Sequence, residues 1–338
     1  MSYFKPRIAI VGEAWGKDEA AKAQAFVGYT GRLLRLWLER AEIKPSDCFL
    51  TNVFNLQPQP TNDIKNLCGT KTEGIVGYPP LQKGKYVKAA YASELRRLHH
   101  ELRTHRPNII VAAGATAAWA LLKTTGIANI RGTVFLWDGI KVLPTYHPSA
   151  VARQPTLYPV ILADLKKTKR ESLHPEHYRT KRTIHIPESI KDIQLWKEQY
   201  LSDCKLLSVD IETANEQITC IGFASSPYNT IVIPFYREPT ADNQSLNYWP
   251  TLDDEIAAWR EAGDILTCGI PTTGQNYKYD MHFLYRKYGL QSPYHTHDTM
   301  LLHHALQPEM QKSLGFLASI YTDEVSWKTM RKTNKQEG

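Results

Sequence analysis

The apolar positions of this chain fall into two blocks with a polar stretch between them. In the first block, short apolar runs alternate with longer amphipathic ones. Arg7–Val11 (RIAIV) reads as a buried strand ending at Gly12, Cys48–Val53 (CFLTNV) as a second, and Asn108–Ala113 (NIIVAA) as a third ending at Gly114. Gly31–Arg40 (GRLLRLWLER), Tyr86–Arg103, Ala115–Lys123 and Pro159–Lys169 place Leu, Ala and Trp at helical spacing. Val134–Trp137 and Lys141–Leu143, joined by Asp138-Gly139, predict a hairpin. Strands alternating with helices imply an α/β sheet covered on both faces.

The pattern breaks at Lys166–Pro187, where basic residues, His and Pro dominate and apolar periodicity is lost. It resumes with strands at Leu206–Ile211, Ile218–Ser225 and Thr230–Pro234, a helix at Leu252–Glu261, a strand and turn within Ile265–Gln275, and helices at Met281–Tyr288, Leu301–Ala305 and Ser313–Tyr321. A meander followed by helices predicts an α+β or mixed α/β layer. The expected organisation is therefore a domain over 1–170, a linker over 171–187 and a second domain over 188–338.

Composition narrows the partners. The 338 residues include 41 Lys and Arg against 34 Asp and Glu, a formal charge of +7 that suits a polyanion such as DNA. No apolar run reaches the roughly 18 residues of a membrane helix, so no membrane partner is expected. Five scattered cysteines (Cys48, Cys68, Cys204, Cys220, Cys268) make no disulfide framework or zinc pattern, and with the lack of a leader they predict a cytoplasmic protein.

Four segments of the first block stand at or just after strand ends, where open α/β sheets place their ligand crevice. They are GEAWG (Gly12–Gly16), AFVGYTGRLL from Ala25, TNVFNLQPQP from Thr51, and VLPTYHPS ending at Ser149. In this order they resemble the uracil-DNA glycosylase superfamily, nearest to its iron–sulfur class, which carries GEAPG, PFVGxxGxLL, TNxVKCRPP and VLPTYHPS. The resemblance implies a three-layer α/β/α domain that takes uracil out of the DNA stack. Phe26 would face the everted base, and the Asn52 amide would read its Watson–Crick edge, where cytosine presents the opposite pattern. His147 would donate to the uracil O2 that gains negative charge, and Glu13 would position water and oppose the positive sugar. Gly12, Gly16, Pro148 and Ser149 would hold backbone and phosphate closely.

Two departures are visible. Trp15 replaces the family's loop proline within the same DNA-binding segment, and Leu56 stands where the family has a cluster-ligating cysteine. Only Cys48 and Cys68 remain in this half, so no iron–sulfur cluster and no other cofactor is expected for it. The residue that would clash with a thymine methyl is left open among Trp15, Tyr29 and Phe54.

In the second block, Asp210 and Glu212 lie at i and i+2 of a strand and share a face. GQNYKYD (Gly274–Asp280), HDTML (His297–Leu301) and LASIY (Leu317–Tyr321) follow. The set resembles the proofreading 3′–5′ exonuclease domain of family A DNA polymerases, which implies a ribonuclease-H-like mixed sheet of the DEDD type. By that resemblance Asp210, Glu212 and Asp280 would be catalytic ligands of Mg²⁺ or Mn²⁺ in a two-metal site, and Asn276 would help set the terminal nucleotide. The family's final Tyr-x-x-x-Asp is not found, which predicts an incomplete ligand set. Some bacteriophage polymerases join a glycosylase-like domain to such an exonuclease, so the chain resembles their front part, in the cytoplasm of a bacterial host.

Three functions are then open: a uracil-excising enzyme, a non-catalytic module gripping uracil or template DNA, and an exonuclease completed by a partner. The partners implied are single-stranded or uracil-containing DNA and a separate polymerase domain or other replication proteins.

Overall fold

The computed structural model describes residues 6–178, 180–239 and 245–324. Two compact units divide at His177/Tyr178, and Gly315 to Glu324 group with the first.

The first unit is built on a five-stranded sheet in the spatial order Cys48–Phe54, Ile8–Ala14, Ile109–Ala113, Ile140–Thr145, Phe135–Trp137. The first four strands are parallel, and Phe135–Trp137 turns back against Ile140–Thr145 as the hairpin that Asp138-Gly139 predicts. Successive residues feed opposite faces. Ile8, Ile10, Ile109 and Val111 join Leu34, Trp37, Leu38, Ile161 and Leu165 of helices Tyr29–Arg40 and Tyr158–Glu171. Ala9, Val11, Ile110 and Ala112 join Leu95, Leu98 and Leu102 of helix Ala92–His105, with Trp119 and Leu121 of helix Ala115–Leu122. A sheet buried on both sides explains the unbroken apolar runs Ile8–Val11 and Ile109–Ala113 of its central strands.

The sequence reading of one helix over Tyr86–Arg103 is corrected. Tyr86–Val87 is instead a strand paired with Cys68–Gly69, and a short 3₁₀ turn precedes helix Ala92–His105. Tyr and Val favour strand geometry, and the Val87 carbonyl is taken by Ile75 N–H at 3.0 Å.

The second unit holds a six-stranded mixed sheet in the order His295–Asp298, Thr272–Gly274, Leu207–Ala214, Gln217–Ala224, Asn229–Pro234, Thr183–His185. Leu207–Ala214, Gln217–Ala224 and Asn229–Pro234 form the antiparallel meander, and the other three strands pair in parallel. Thr183–His185 lies inside the stretch read as linker; only three residues long, it leaves no periodicity to read. Helix Ile190–Tyr200 is also new. Its signal was the Ser189/Asp192 capping box ahead of Ile193 and Trp196, both buried. Helix Leu252–Thr267 runs past Glu261 because Ala258, Ala262, Ile265 and Leu266 continue one buried stripe.

Candidate functional site

The strand order of the first unit reverses beside Ile8–Ala14, so the carboxyl ends of Ile8–Ala14 and Ile109–Ala113 flank a switch-point crevice. A cleft of about 510 Å³ opens there, lined by Glu13, Gly16, Phe26, Asn52, His147 and Ser149 among others. Two strands and two loops thus deliver Glu13 and Asn52, and Phe26 and His147, to one cavity.

Gly12 is the pivot of this convergence. It pairs with Asn52 across the parallel ladder. A Cβ on Gly12 would stand 2.2 Å from Asn52 Oδ1 and 2.7 Å from Phe26 Cζ, so the missing side chain makes room for both groups. Gly12→Ala should therefore overpack the cleft wall and cost about 1–3 kcal/mol. Urea unfolding checks this: a midpoint equal to wild type would mean that Asn52 and Phe26 do not meet over this glycine.

Asn52 is 3% exposed, and among the described residues its side-chain amide has no hydrogen-bond partner. Its backbone is held firmly. Arg97 donates to the Asn52 carbonyl at 2.8 Å and the Val53 carbonyl at 3.1 Å, while pairing with Glu94 and Glu101. Phe26 takes a left-handed backbone (φ 56°), strained for a residue with a Cβ. That turn is braced by Gly31, where any Cβ would meet the Phe26 carbonyl oxygen at 2.0 Å.

His147 lies in the cleft facing Phe26, with ring centroids 6.5 Å apart and planes 25° from parallel. The ring touches the cavity but is otherwise walled by protein, so its exposure is intermediate while its desolvation is large. That burial, helped by the nearby Arg153 charge, pushes its pKa down to about 4. Its Nδ1 accepts the Ser149 backbone N–H at 3.3 Å and lies 2.8 Å from Ser149 Oγ. An Nδ1 that accepts leaves the proton of the neutral ring on Nε2. His147 is thus a neutral donor at physiological pH.

Glu13 is largely buried. Desolvation raises its carboxyl above the usual range, with Asp63 adding to the effect and the Thr116 hydrogen bond and Arg153 opposing it. Glu19, missed in the sequence, accepts Gly28 N–H at 2.8 Å through Oε1 and Gly16 N–H at 3.1 Å through Oε2. It pins the GEAWG loop to the Phe26 loop. Its only sequence signal was a glutamate three residues after Gly16, as in a helix cap.

Several expected groups stand elsewhere. Trp15 does not line the cleft; its backbone N–H bonds to the Phe54 and Leu56 carbonyls at 3.2 and 3.1 Å, and its indole Nε1 is buried without a partner among the described residues. Gly12 and Pro148 lie behind the lining rather than in it. Tyr29 is exposed and Phe54 is fully buried, so neither forms the cavity wall. Cys48 and Cys68 belong to different apolar clusters on the two faces of the sheet, and Leu56 packs beside the second. These residues do not fit a four-thiolate cluster site.

In the second unit, Leu207, Val209 and Ile211 point into the core while Asp210 and Glu212 alternate outward onto one exposed face. Asp280 is 4% exposed and accepts Ile211 N–H at 3.0 Å. Burial, reinforced by the negative charges of Asp210 and Asp298, raises its pKa to about 6. Asp298 accepts the backbone N–H groups of Asn276, Tyr277 and Met300 at 3.1, 2.8 and 2.9 Å, which holds Asn276 left-handed (φ 54°). Among the described residues, no three His, Cys, Asp or Glu side chains stand close enough to hold a metal ion. Also among the described residues, no helix is long and apolar enough to cross a membrane.

The first unit is an α/β domain with a cleft at the switch point of its largely parallel sheet. The family model of the uracil DNA glycosylase superfamily matches residues 2–171, and the chain belongs to that superfamily. It is 31% identical over 176 residues to the type-4 uracil-DNA glycosylase of Archaeoglobus fulgidus, covering 48% of this chain and 75% of that protein. The type-4 uracil-DNA glycosylase of Thermotoga maritima is 30% identical over 172 residues, with 48% and 76% covered. Among solved structures, the EXD2 exonuclease domain aligns with a TM-score of 0.27 and 16% identity, over 43% of this chain and 73% of that one.

Proposed function

We propose that the first unit hydrolyses the N-glycosidic bond of uracil in DNA. The observation that carries this reading is the Asn52 amide, which lines a cleft that also holds Phe26, His147 and Glu13. Once a base fills the cleft and excludes water, an amide left without a partner there costs free energy. Uracil does so by accepting at O4 and donating from N3–H. Cytosine reverses both roles and leaves the amide unpaired.

The chemistry follows from the neighbours. Phe26 offers a flat apolar face to the extruded ring. As the bond to the sugar lengthens, electrons flow into the base and charge gathers on O2. The neutral His147 donates Nε2–H to that oxygen, acting by preorganised electrostatics rather than by giving up its proton. The Glu13 carboxylate opposes the growing positive charge on the sugar and accepts a proton from the attacking water.

The test is base release from single-stranded oligonucleotides carrying one uracil, cytosine or thymine. Uracil alone should leave abasic product. Asn52→Leu should lower kcat/KM for uracil by about 10- to 100-fold, the worth of one or two buried hydrogen bonds. Binding of uracil-DNA without base release by the wild type would instead favour a non-catalytic uracil-detecting module.

A further inference from the structure

We infer that Thr116 is a positioning residue for Glu13, its hydroxyl holding the carboxylate in the orientation and charge state that the reaction uses. The inference deepens the glycosylase reading and rests on it for its kinetic arm.

Thr116 was absent from every motif of the sequence. It stands in the first turn of helix Ala115–Leu122 and is 2% exposed. Gly114 sets it there. That residue adopts φ 95° and donates its N–H to the Thr145 carbonyl at 2.8 Å. A Cβ at Gly114 would sit 3.0 Å from the His147 Cβ, so the turn is fitted against the strand end that carries His147. From this position the Thr116 hydroxyl donates to Glu13 Oε2. A hydroxyl can donate to a carboxylate, whereas a protonated Glu13 would compete to be the donor itself.

The other influences on Glu13 are mixed. Burial and Asp63 favour the neutral acid, and Arg153 favours the carboxylate. His147, across the cleft, is held neutral by its own burial and adds no positive charge. The start of helix Ala115–Leu122 adds a weak positive end. Thr116 is therefore the one direct hydrogen-bond donor to the Glu13 side chain among the described residues. Without it, the carboxylate loses both its aim and the strongest of its stabilising contacts.

Thr116→Val keeps the shape and removes the donor, and Thr116→Ser keeps the donor. Single-turnover uracil release from pH 4.5 to 9 should show the acid limb of Thr116→Val displaced to higher pH. Its rate at pH 5 should fall by about tenfold or more relative to wild type, with a much smaller loss at pH 8. Thr116→Ser should restore the wild-type profile. An equal fractional loss at every pH, unrescued by serine, would mean that Thr116 only packs, and would overturn the inference.

Carboxyl ¹³C NMR of Glu13 provides a readout independent of activity. The Glu13 resonance should titrate at higher pH in Thr116→Val than in wild type. If wild type releases no uracil but this titration moves, the glycosylase reading fails and the role of Thr116 stands. If the titration is the same in both proteins, the role of Thr116 fails whatever the activity.

Discussion

Replacing His147 with alanine should slow uracil release by about 10²- to 10³-fold, the cost typical of deleting one oxyanion donor. The size follows from geometry. Ser149 N–H fixes Nδ1 as an acceptor, so the donor is already formed before substrate arrives. Burial keeps the ring neutral down to about pH 4, so protonation of His147 sets no limb near its ordinary value. The acid limb should belong to Glu13, whose carboxyl is raised, and should persist in the residual activity of His147→Ala. Stability carries a matching signature. As pH falls from the unfolded histidine value toward about 4, the unfolded chain takes up a proton that the folded ring refuses, so folding weakens through that window. Alanine at 147 removes that contribution. A His147→Ala enzyme within threefold of wild type at pH 7.5 would sink the electrostatic mechanism.

The second large effect is on stability. Asp164 is 1% exposed and accepts hydrogen bonds from Arg131 Nε at 3.0 Å and Thr145 Oγ1 at 2.6 Å, with a further bond from Arg131 Nη2. Arg131, 3% exposed, also donates to Ser319 Oγ at 2.7 Å, and Lys167 donates to the Gly132 and Thr322 carbonyls at 2.7 and 2.6 Å. Asp164→Ala leaves the guanidinium buried without its anion, which should cost about 3–5 kcal/mol. Thermal melting should fall by roughly 10 °C for a unit of this size. Because Thr145 lies two residues before His147, activity should fall as well. The paired change Asp164→Leu with Arg131→Met removes both charges and should recover most of the stability. A single-variant loss under 1 kcal/mol would show that this pair is solvated.

This cluster also shows where sequence pattern stops. Leu317-Ala318-Ser319-Ile320-Tyr321 was read with the second domain. In the structure Ser319 and the Thr322 carbonyl serve the buried charges of the first unit, and Gly315 to Glu324 group with it. No periodicity in a helix reveals which distant arginine its serine will meet.

The sequence by itself determined the layered architecture of the first unit. Its central strands carry the apolar runs Ile8–Val11 and Ile109–Ala113, followed by Gly12 and Gly114, and alternate with amphipathic helices, a pattern that suits a sheet covered on both faces. The four motifs that carry the glycosylase resemblance also pointed to Glu13, Phe26, Asn52 and His147, and these four side chains line one cleft. Alternation likewise set Asp210 and Glu212 on one face. Tertiary structure decided what lies across the fold. Thr116, Glu19 and Arg97 act by reaching groups distant in the chain or on another element, and a side chain's partner is not written in its neighbours. It also moved Trp15 away from the cleft and turned Asp280 toward the Ile211 N–H, because hydrogen-bond demand and packing volume, rather than motif membership, fix where a side chain comes to rest.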